Sequence, residues 1–468
     1  MTAYDEVPYT GRPYADAHPE RLATMATLLG MQPAPVEGCR VLEIACGDGA
    51  NIVPMAAVLP KSEFVGFDIA GQPVEAGRRF AAEAGLTNVT LTRLDLADFP
   101  ADAGAFDYIL AHGLYSWIPA GPRDQLLALI GRHLAPNGVA FVSYNVYPGC
   151  YVRRMVWEML RFHTEPLKEA AQRIDEAQAL ARLLAEGHAL DDAYSALMKS
   201  ELERFSSRDA SFLFHDDLAD VNEPCWFHEF VTHAEKHRLQ FLCEAEMVAT
   251  SYFGIAPAAR RVLEQLDPLV REQYLDFAKC RRFRQTLLCR EEVAINRAIA
   301  PARLGAFRFL SRRRGMAEEK SAAAAPVVGE EGVARAILDA LDAAAPNALS
   351  VDGLAACIPG LGRAYLEQLC LAAAQSGALQ LHLHAPDVAA TVRTKPLASA
   401  SARAQAGHAK AVTNLRHVLV ELDDEMVLKL LPLLDGTRDA AALAAALGEP
   451  RAAVDARLEH LGKLGLLF

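Results

Sequence analysis

A carboxylate followed by spaced glycines closes one apolar run of the chain. In RVLEIACGDGAN, residues 40–51, Glu43 precedes Gly47 and Gly49. A strand that breaks into a Gly-x-Gly turn at the start of a helix brings backbone N–H groups close to a ligand. Asp68 ends the next apolar run, 21 residues after Gly47, where a carboxylate can accept both hydroxyls of an adenosine ribose. Position 52 is Ile, whereas a dinucleotide fingerprint needs its third glycine there. An adenosine without a pyrophosphate therefore fits this turn better than a dinucleotide. Farther along, AHGLYSWIP sets His112, Tyr115, Ser116 and Trp117 after a fourth apolar run, and SYNVYPG sets Asn145 and Tyr147 after a fifth. Ligands of open α/β sheets lie at the carboxyl ends of the strands, so these residues are the candidates for chemistry on an acceptor. FHDD (214–217) contains ligating residue types without an evident companion, so no metal is expected. His228 and Glu229 in WFHEF are expected to serve packing.

The elements that must position these groups follow from the apolar periodicity. CRVLEIA, SEFVGFD, NVTLTRLD, AFDYILAHG and GVAFVSYN read as strands, with helices over NIVPMAAVLP, PVEAGRRFAAEAG and RDQLLALIGRHL between them. Such alternation with short loops predicts a parallel sheet wrapped on both faces by helices. Residues 151–222 read as a helical insertion, and the sheet resumes with LQFLCEA and RRFRQTLLCR in a segment 223–300. MAEEKSAAAAPVVGEEG anchors a linker over 301–332. Two stretches of 333–468 each predict a helix, a short helix, a longer helix and a terminal apolar strand, which is a winged-helix pattern. The expected fold class is a Rossmann-like, doubly wound, seven-stranded α/β sheet with a helical insertion and a mostly helical, winged-helix-like C-terminal region.

Bulk properties remove several function classes. The 468 residues carry a formal net charge of -12, which argues against a general nucleic-acid binder. A basic stretch around 307–315 reads as a solvated edge. The acidic, polar start MTAYDEVPYT is unlike a secretory signal, and no run is long enough to span a membrane. Nine cysteines without a C-x-x-C pair suit reduced thiols and a cytoplasmic location.

With these residues in view, the chain resembles the class I S-adenosylmethionine-dependent methyltransferases, whose first motif EIACGDG matches here with Ala45 in place of the first glycine. That replacement is expected to cost little. The segments YTGRPYADAHPERLATMATLLGM, AHGLYSWIP, SYNVYPG, NEPCWFHEF, RRFRQTLLCR and LLPLLDGTRD narrow the resemblance. They are similar to the bacterial, rickettsial-type protein-lysine methyltransferases, which carry a methyltransferase regulatory region. The resemblance implies S-adenosylmethionine as cofactor and 1–150 as an N-terminal lid and cofactor-binding core. Glu43 would hold the methionine ammonium, Gly47 and Gly49 would let the backbone pass the cofactor, and Asp68 would take the ribose hydroxyls. Ile69 would pack on adenine, with Asp95 near its exocyclic amine and Leu96 near its ring. Tyr14 and His18 would belong to the lid, and Asn51 and His112 are grouped with the cofactor contacts. On the acceptor side stand His112, Tyr115, Trp117, Asn145 and Tyr147, with the Asn145 carbonyl accepting from an amine flanked by Tyr147.

Three functions stay open on these residues. The first is methylation of lysine side chains on a protein substrate, with the insertion and tail forming a substrate cleft or a homodimer contact. The second keeps the reaction and makes the acceptor a small metabolite. The third is a cofactor-sensing regulator without turnover. No nucleic-acid partner is expected.

Overall fold

The computed structural model describes residues 7, 9–187, 192–312, 331–385, 388–389 and 391–468. Seven strands form the central sheet: β1 (Arg40–Ile44), β2 (Glu63–Asp68), β3 (Val89–Arg93), β4 (Phe106–Ala111), β5 (Leu134–Asn145), β6 (Leu239–Glu244) and β7 (Phe283–Arg290). Their order is β3-β2-β1-β4-β5-β7-β6. The first five are mutually parallel, and β7 runs antiparallel to both β5 and β6. The sheet is therefore mixed at one edge, an outcome that apolar runs alone do not encode. β5 also begins earlier than expected, at Leu134, and a register irregularity against β4 absorbs the APNG segment.

Strands buried on both faces carry near-continuous apolar runs. In β1, Val41 faces one core cluster while Leu42 and Ile44 face the other. Helices Pro19–Leu28, Ile52–Val58 and Gly71–Glu83 cover the first face; Ala120–His133 and Phe227–Glu235 cover the second. The insertion forms helices Cys150–Thr164, Ala170–Glu186 and Ala193–Ser206 around a core of its own that includes Leu160, Ile174, Met198 and Leu213. A π-helical turn at Leu213–Asp217 closes it.

The first C-terminal unit follows the expected order, with helices Glu331–Ala344, Val351–Cys357 and Arg363–Gln375 and then a strand, and adds strands that the sequence pattern does not show. Strand β8 (Arg308–Ser311) pairs with β9 (Leu349–Ser350) and β10 (Leu379–His382). The segment 301–332, expected to be a linker, thus holds a short helix, Pro301–Ala306, and a strand whose partners come 38 residues or more later, which composition does not reveal; residues 313–330 lie outside those described. This first unit shares its core with one face of the main sheet. Glu20, buried on the N-terminal helix, receives the backbone N–H of Leu383 and pairs with His382. The second unit has a separate core. A hairpin of β11 (Ala411–Thr413) and β12 (Leu419–Glu421) follows its first helix, Ala400–Gln405, and precedes the others, and its final residues make only an isolated bridge, Ala398 with Leu467. Among the described residues, no helix is long and apolar enough to cross a membrane.

Candidate active site

The tips of β1, β2, β4 and β5 open into one cavity of about 560 Å³, within the roughly 300–1,000 Å³ usual for small-molecule sites. Glu43, next to last in β1, lines this cavity. Its Oε1 accepts a 2.6 Å hydrogen bond from Asn51 Nδ2, while Oε2 is buried without a partner. Burial, opposed by the Asn51 bond, pushes the Glu43 carboxyl up to about 8. Asn51 stands at the helix start and uses its Oδ1 twice, accepting from the Tyr14 backbone N–H at 2.8 Å and from His417 Nε2 at 2.8 Å.

Gly47 sits at φ +53° and donates its N–H to Asp68 Oδ2 at 3.0 Å. Asp68 Oδ1 accepts from Ala70 N–H, so the two strand tips are tied together around the cavity wall. Ala45 lines the cavity at φ +60°, a left-handed conformation costing roughly 1–2 kcal/mol for a residue with a Cβ. The expectation that this substitution is nearly free is corrected: the turn holds it strained. Gly49 does not line the cavity. A Cβ there would lie 2.9 Å from Val53 Cγ2 and 3.0 Å from Leu91 Cδ1, so its role is close packing of helix on sheet. Ile69 lines the opposite wall with 48% of its surface exposed, an apolar platform open to a ring.

The N-terminal segment folds over this cradle, with Tyr9 and Tyr14 lining it. Tyr14 stacks on His112 with ring centroids 3.6 Å apart, and His112 lies in turn on Phe141 at 5.8 Å. Burial holds the His112 imidazole down to about 3, so the ring is neutral, and its Nδ1 is buried without a partner. His18 is elsewhere. It caps the helix Pro19–Leu28 through Nδ1, which accepts from the Glu20 N–H, and its ring stands 5.2 Å from His417. Asp95 is likewise displaced from its expected role: it is exposed and caps the short turn at Leu96, and neither residue lines the cavity. The short strand β3 ends one strand farther out than the cavity reaches.

On the acceptor side the structure keeps His112, Trp117 and Asn145 on the lining and removes Tyr115 and Tyr147. Trp117 Nε1 is buried without a partner. Asn145 gives its Nδ2 to Asn222 at 2.9 Å and its backbone N–H to Ser116 Oγ. Tyr115 turns into the core against Phe230 and Tyr144, its hydroxyl 2.9 Å from His233 Nδ1. Tyr147 stacks on Tyr151 and receives a bond from Arg154, so it cannot flank an amine at Asn145. The expectation that His228 and Glu229 serve packing is corrected: both are exposed, Glu229 accepting the Trp226 backbone N–H at the helix start and His228 pairing with Gln273 Oε1.

Apart from Asp216 and Asp217 of FHDD, the remaining wall comes from residues not singled out in the sequence. The inserted helices contribute Arg153, Trp157, Glu201, Arg204 and Phe205, the turn after them Arg208, and the π turn Asp216 and Asp217, while Arg282 just before β7 and Phe283 at its start complete the wall. Asp217 accepts from Arg153 and Arg208 at 2.9 Å each, and Arg282 grips Glu201 through both terminal nitrogens. Asp216 is less well compensated: burial raises its carboxyl to about 6, and Arg208 stands 3.7 Å away. No local pattern marks these positions, because each owes its place to packing across the insertion.

Buried polar atoms of native proteins are nearly always paired. Among the described residues, Glu43 Oε2, His112 Nδ1 and Trp117 Nε1 are unpaired and all border this one cavity. The cradle thus suits a ligand bearing a cation near Glu43, hydroxyls near Asp68 and a flat apolar ring on Ile69. That is the chemistry of S-adenosylmethionine.

Comparisons with known proteins agree. Residues 41–138 match a methyltransferase domain, 209–290 a predicted methyltransferase regulatory domain, and 394–460 the C-terminal winged helix domain of PKMT. The chain is 36% identical over 302 residues to the uncharacterized protein RP789 of Rickettsia prowazekii; the match spans 63% of this chain and 54% of that protein. It is 32% identical over 243 residues to RP028 of the same organism, spanning 51% of this chain and 96% of the relative. The structure of PKMT2 from Rickettsia typhi superposes with a TM-score of 0.87 at 26% identity, covering 98% of this chain and all of that one, and its complex with AdoHcy superposes at 0.85. The chain belongs to the family of RP028, and it carries an S-adenosylmethionine-dependent methyltransferase domain, a predicted methyltransferase regulatory domain and a PKMT winged helix.

Proposed function

We propose that this chain transfers methyl groups to lysine side chains of a protein substrate. The observation that carries the reading is the breadth of the cavity: the same space that Glu43 and Asp68 line is also lined by Trp117, Trp157, Asn145 and Asp216. In this reading Glu43 faces the methionine ammonium, Asp68 the ribose hydroxyls and Ile69 the adenine, and Tyr14 covers the cradle from above. S-adenosylmethionine supplies an electrophilic methyl group on its sulfonium. The remaining work falls to positioning and to the exclusion of water.

A lysine nucleophile must lose its proton before it can attack. Indole walls disfavour the ammonium by desolvation. The carboxylate of Asp216, raised to about 6, is ionised at neutral pH and is a stronger base than an ordinary aspartate, so it suits the receipt of that proton. His112, held near 3, is too weak a base for the task and acts as a hydrogen-bonding wall. Asn145 has Nδ2 committed to Asn222, and its Oδ1 is the atom free to accept from an amine.

The test uses purified full-length protein, labelled cofactor and cell extract. Label in protein bands, surviving acid precipitation and recovered as methyl-lysine, is expected. Label only in a low-mass filtrate would make the acceptor a metabolite. Tight cofactor binding without any labelled product would make the chain a cofactor sensor.

A further inference from the structure

Asp124, His233 and His237 lie outside the cavity, where the helix Ala120–His133 meets the C-terminal end of the helix Phe227–Glu235. Their potential ligand atoms all fall within 4.8 Å of one another. We propose that these three side chains bind a divalent transition metal of the zinc class.

The two histidines are four residues apart in THAEKH, the spacing that sets two imidazoles on one side of a helical turn. Both present Nε2 to the same carboxylate oxygen: His233 at 3.1 Å and His237 at 2.7 Å from Asp124 Oδ1. Two ligand atoms 2.0 Å from a tetrahedral zinc are about 3.3 Å apart. The three atoms therefore need shifts of well under an ångström to a little over one to share an ion. Two imidazoles and a carboxylate are a donor set that zinc accepts, with water in the fourth position. The open side is present, since more than half of the Asp124 side chain is exposed.

The surroundings hold the ligands in place. The Tyr115 hydroxyl stands 2.9 Å from His233 Nδ1. A phenol can donate or accept. It can donate to Nδ1 while Nε2–H faces Asp124, and it can accept from Nδ1–H when the Nε2 lone pair faces a metal. A hydrogen-bonded partner on the far nitrogen of a ligating imidazole is the usual outer support of such sites. The backbone is equally constrained, because a Cβ at Gly131 would lie 2.3 Å from the His237 carbonyl oxygen. Tyr115 also opens the turn Tyr115–Trp117, and Trp117 lines the cavity. An ion here would brace the acceptor-side wall without touching it.

The experiment takes full-length protein, with exposed Cys280 and Cys357 changed to Ser so that thiols do not compete, stripped with chelator and dialysed at pH 7.5. Zinc is titrated by calorimetry and cobalt by visible absorption. One equivalent of micromolar or tighter zinc is expected, with a cobalt d–d band and no sulfur-to-cobalt charge transfer. Asp124→Asn, at an exposed position that the fold does not need, and His237→Ala should each weaken binding at least tenfold. Tyr115→Phe, which keeps all three ligands, should weaken it about 10- to 100-fold. Circular dichroism confirms that each variant is folded. Absence of binding below about 100 µM, or affinity unchanged in folded Asp124→Asn and His237→Ala, would overturn the site and leave only hydrogen bonds between imidazoles and carboxylate.

Discussion

The two halves of the cavity are built on different terms. On the cofactor side, Glu43, Gly47 and Asp68 come from neighbouring strand tips within 26 residues, and their mutual bonds are short and local. On the acceptor side, Trp117, Asn145, Trp157, Glu201, Asp216 and Arg282 span 166 residues and four kinds of element. The first half is a fixed cradle set by the sheet. The second is assembled by a helical insertion with its own core. A family can therefore keep the first and rebuild the second, which is why a shared cofactor does not name a shared acceptor.

The sharpest way to break this contrast is Asp68→Ala. Removing a charged acceptor of two hydroxyls should weaken cofactor binding by roughly 2–4 kcal/mol, read by calorimetry. Asp68→Asn separates that loss from the loss of the Gly47 and Ala70 bonds. Unchanged affinity would mean the cradle holds something else. Asp216→Asn probes the other half. Turnover should fall about 100-fold with cofactor affinity unchanged within twofold, and equal losses in both would merge the two halves into one.

Glu43 provides a pH test. Its carboxyl titrates at about 8 in the fold against an ordinary value of 4.5. The folded state thus binds the proton more tightly than the unfolded chain, and stability is lost as pH rises from about 4.5 through 8. Glu43→Gln should raise the Tm at pH 9 and leave it unchanged at pH 5. A bound ammonium favours the ionised carboxylate, so cofactor affinity in the parent protein should rise about fivefold between pH 6.5 and 7.5, below the range in which the cofactor's own amino group loses its proton, and the Gln variant should lose this slope. The smallest effect is expected from His417→Ala. Loss of one bond to Asn51 should weaken cofactor binding by about 1 kcal/mol and leave the acceptor side untouched, which would show that the C-terminal unit reports to the cradle alone.

How much was legible follows the same division. Glu43, Gly47, Asn51, Asp68 and Ile69 were readable because a strand, a turn and a helix are contiguous in sequence, and adjacent parallel strands bring their tips together. Asp95 follows the outermost strand of that half and accepts the Ala97 N–H, and it is not among the residues lining the cavity. Tyr115 and Tyr147 were chosen for their residue type at strand ends. Rotation of each side chain, into Phe230 for one and onto Tyr151 for the other, decided against them. FHDD shows ligating residue types without a companion in the sequence, yet its Asp216 borders the cavity, and the histidines of THAEKH give no sign of the carboxylate of Asp124 that faces them.

By itself the amino-acid order determined the alternation of strands and helices, the place where it is interrupted, and a turn shaped for an adenosine-bearing ligand, since each is written in periodicities of two to four residues. Only the tertiary structure decided that β7 enters antiparallel between β5 and β6, that β8 joins partners far along the chain, and that Asp216 and Trp157 meet Trp117 across the cavity. Those choices depend on which apolar faces bury one another, and contacts between distant segments leave no spacing in the sequence to read.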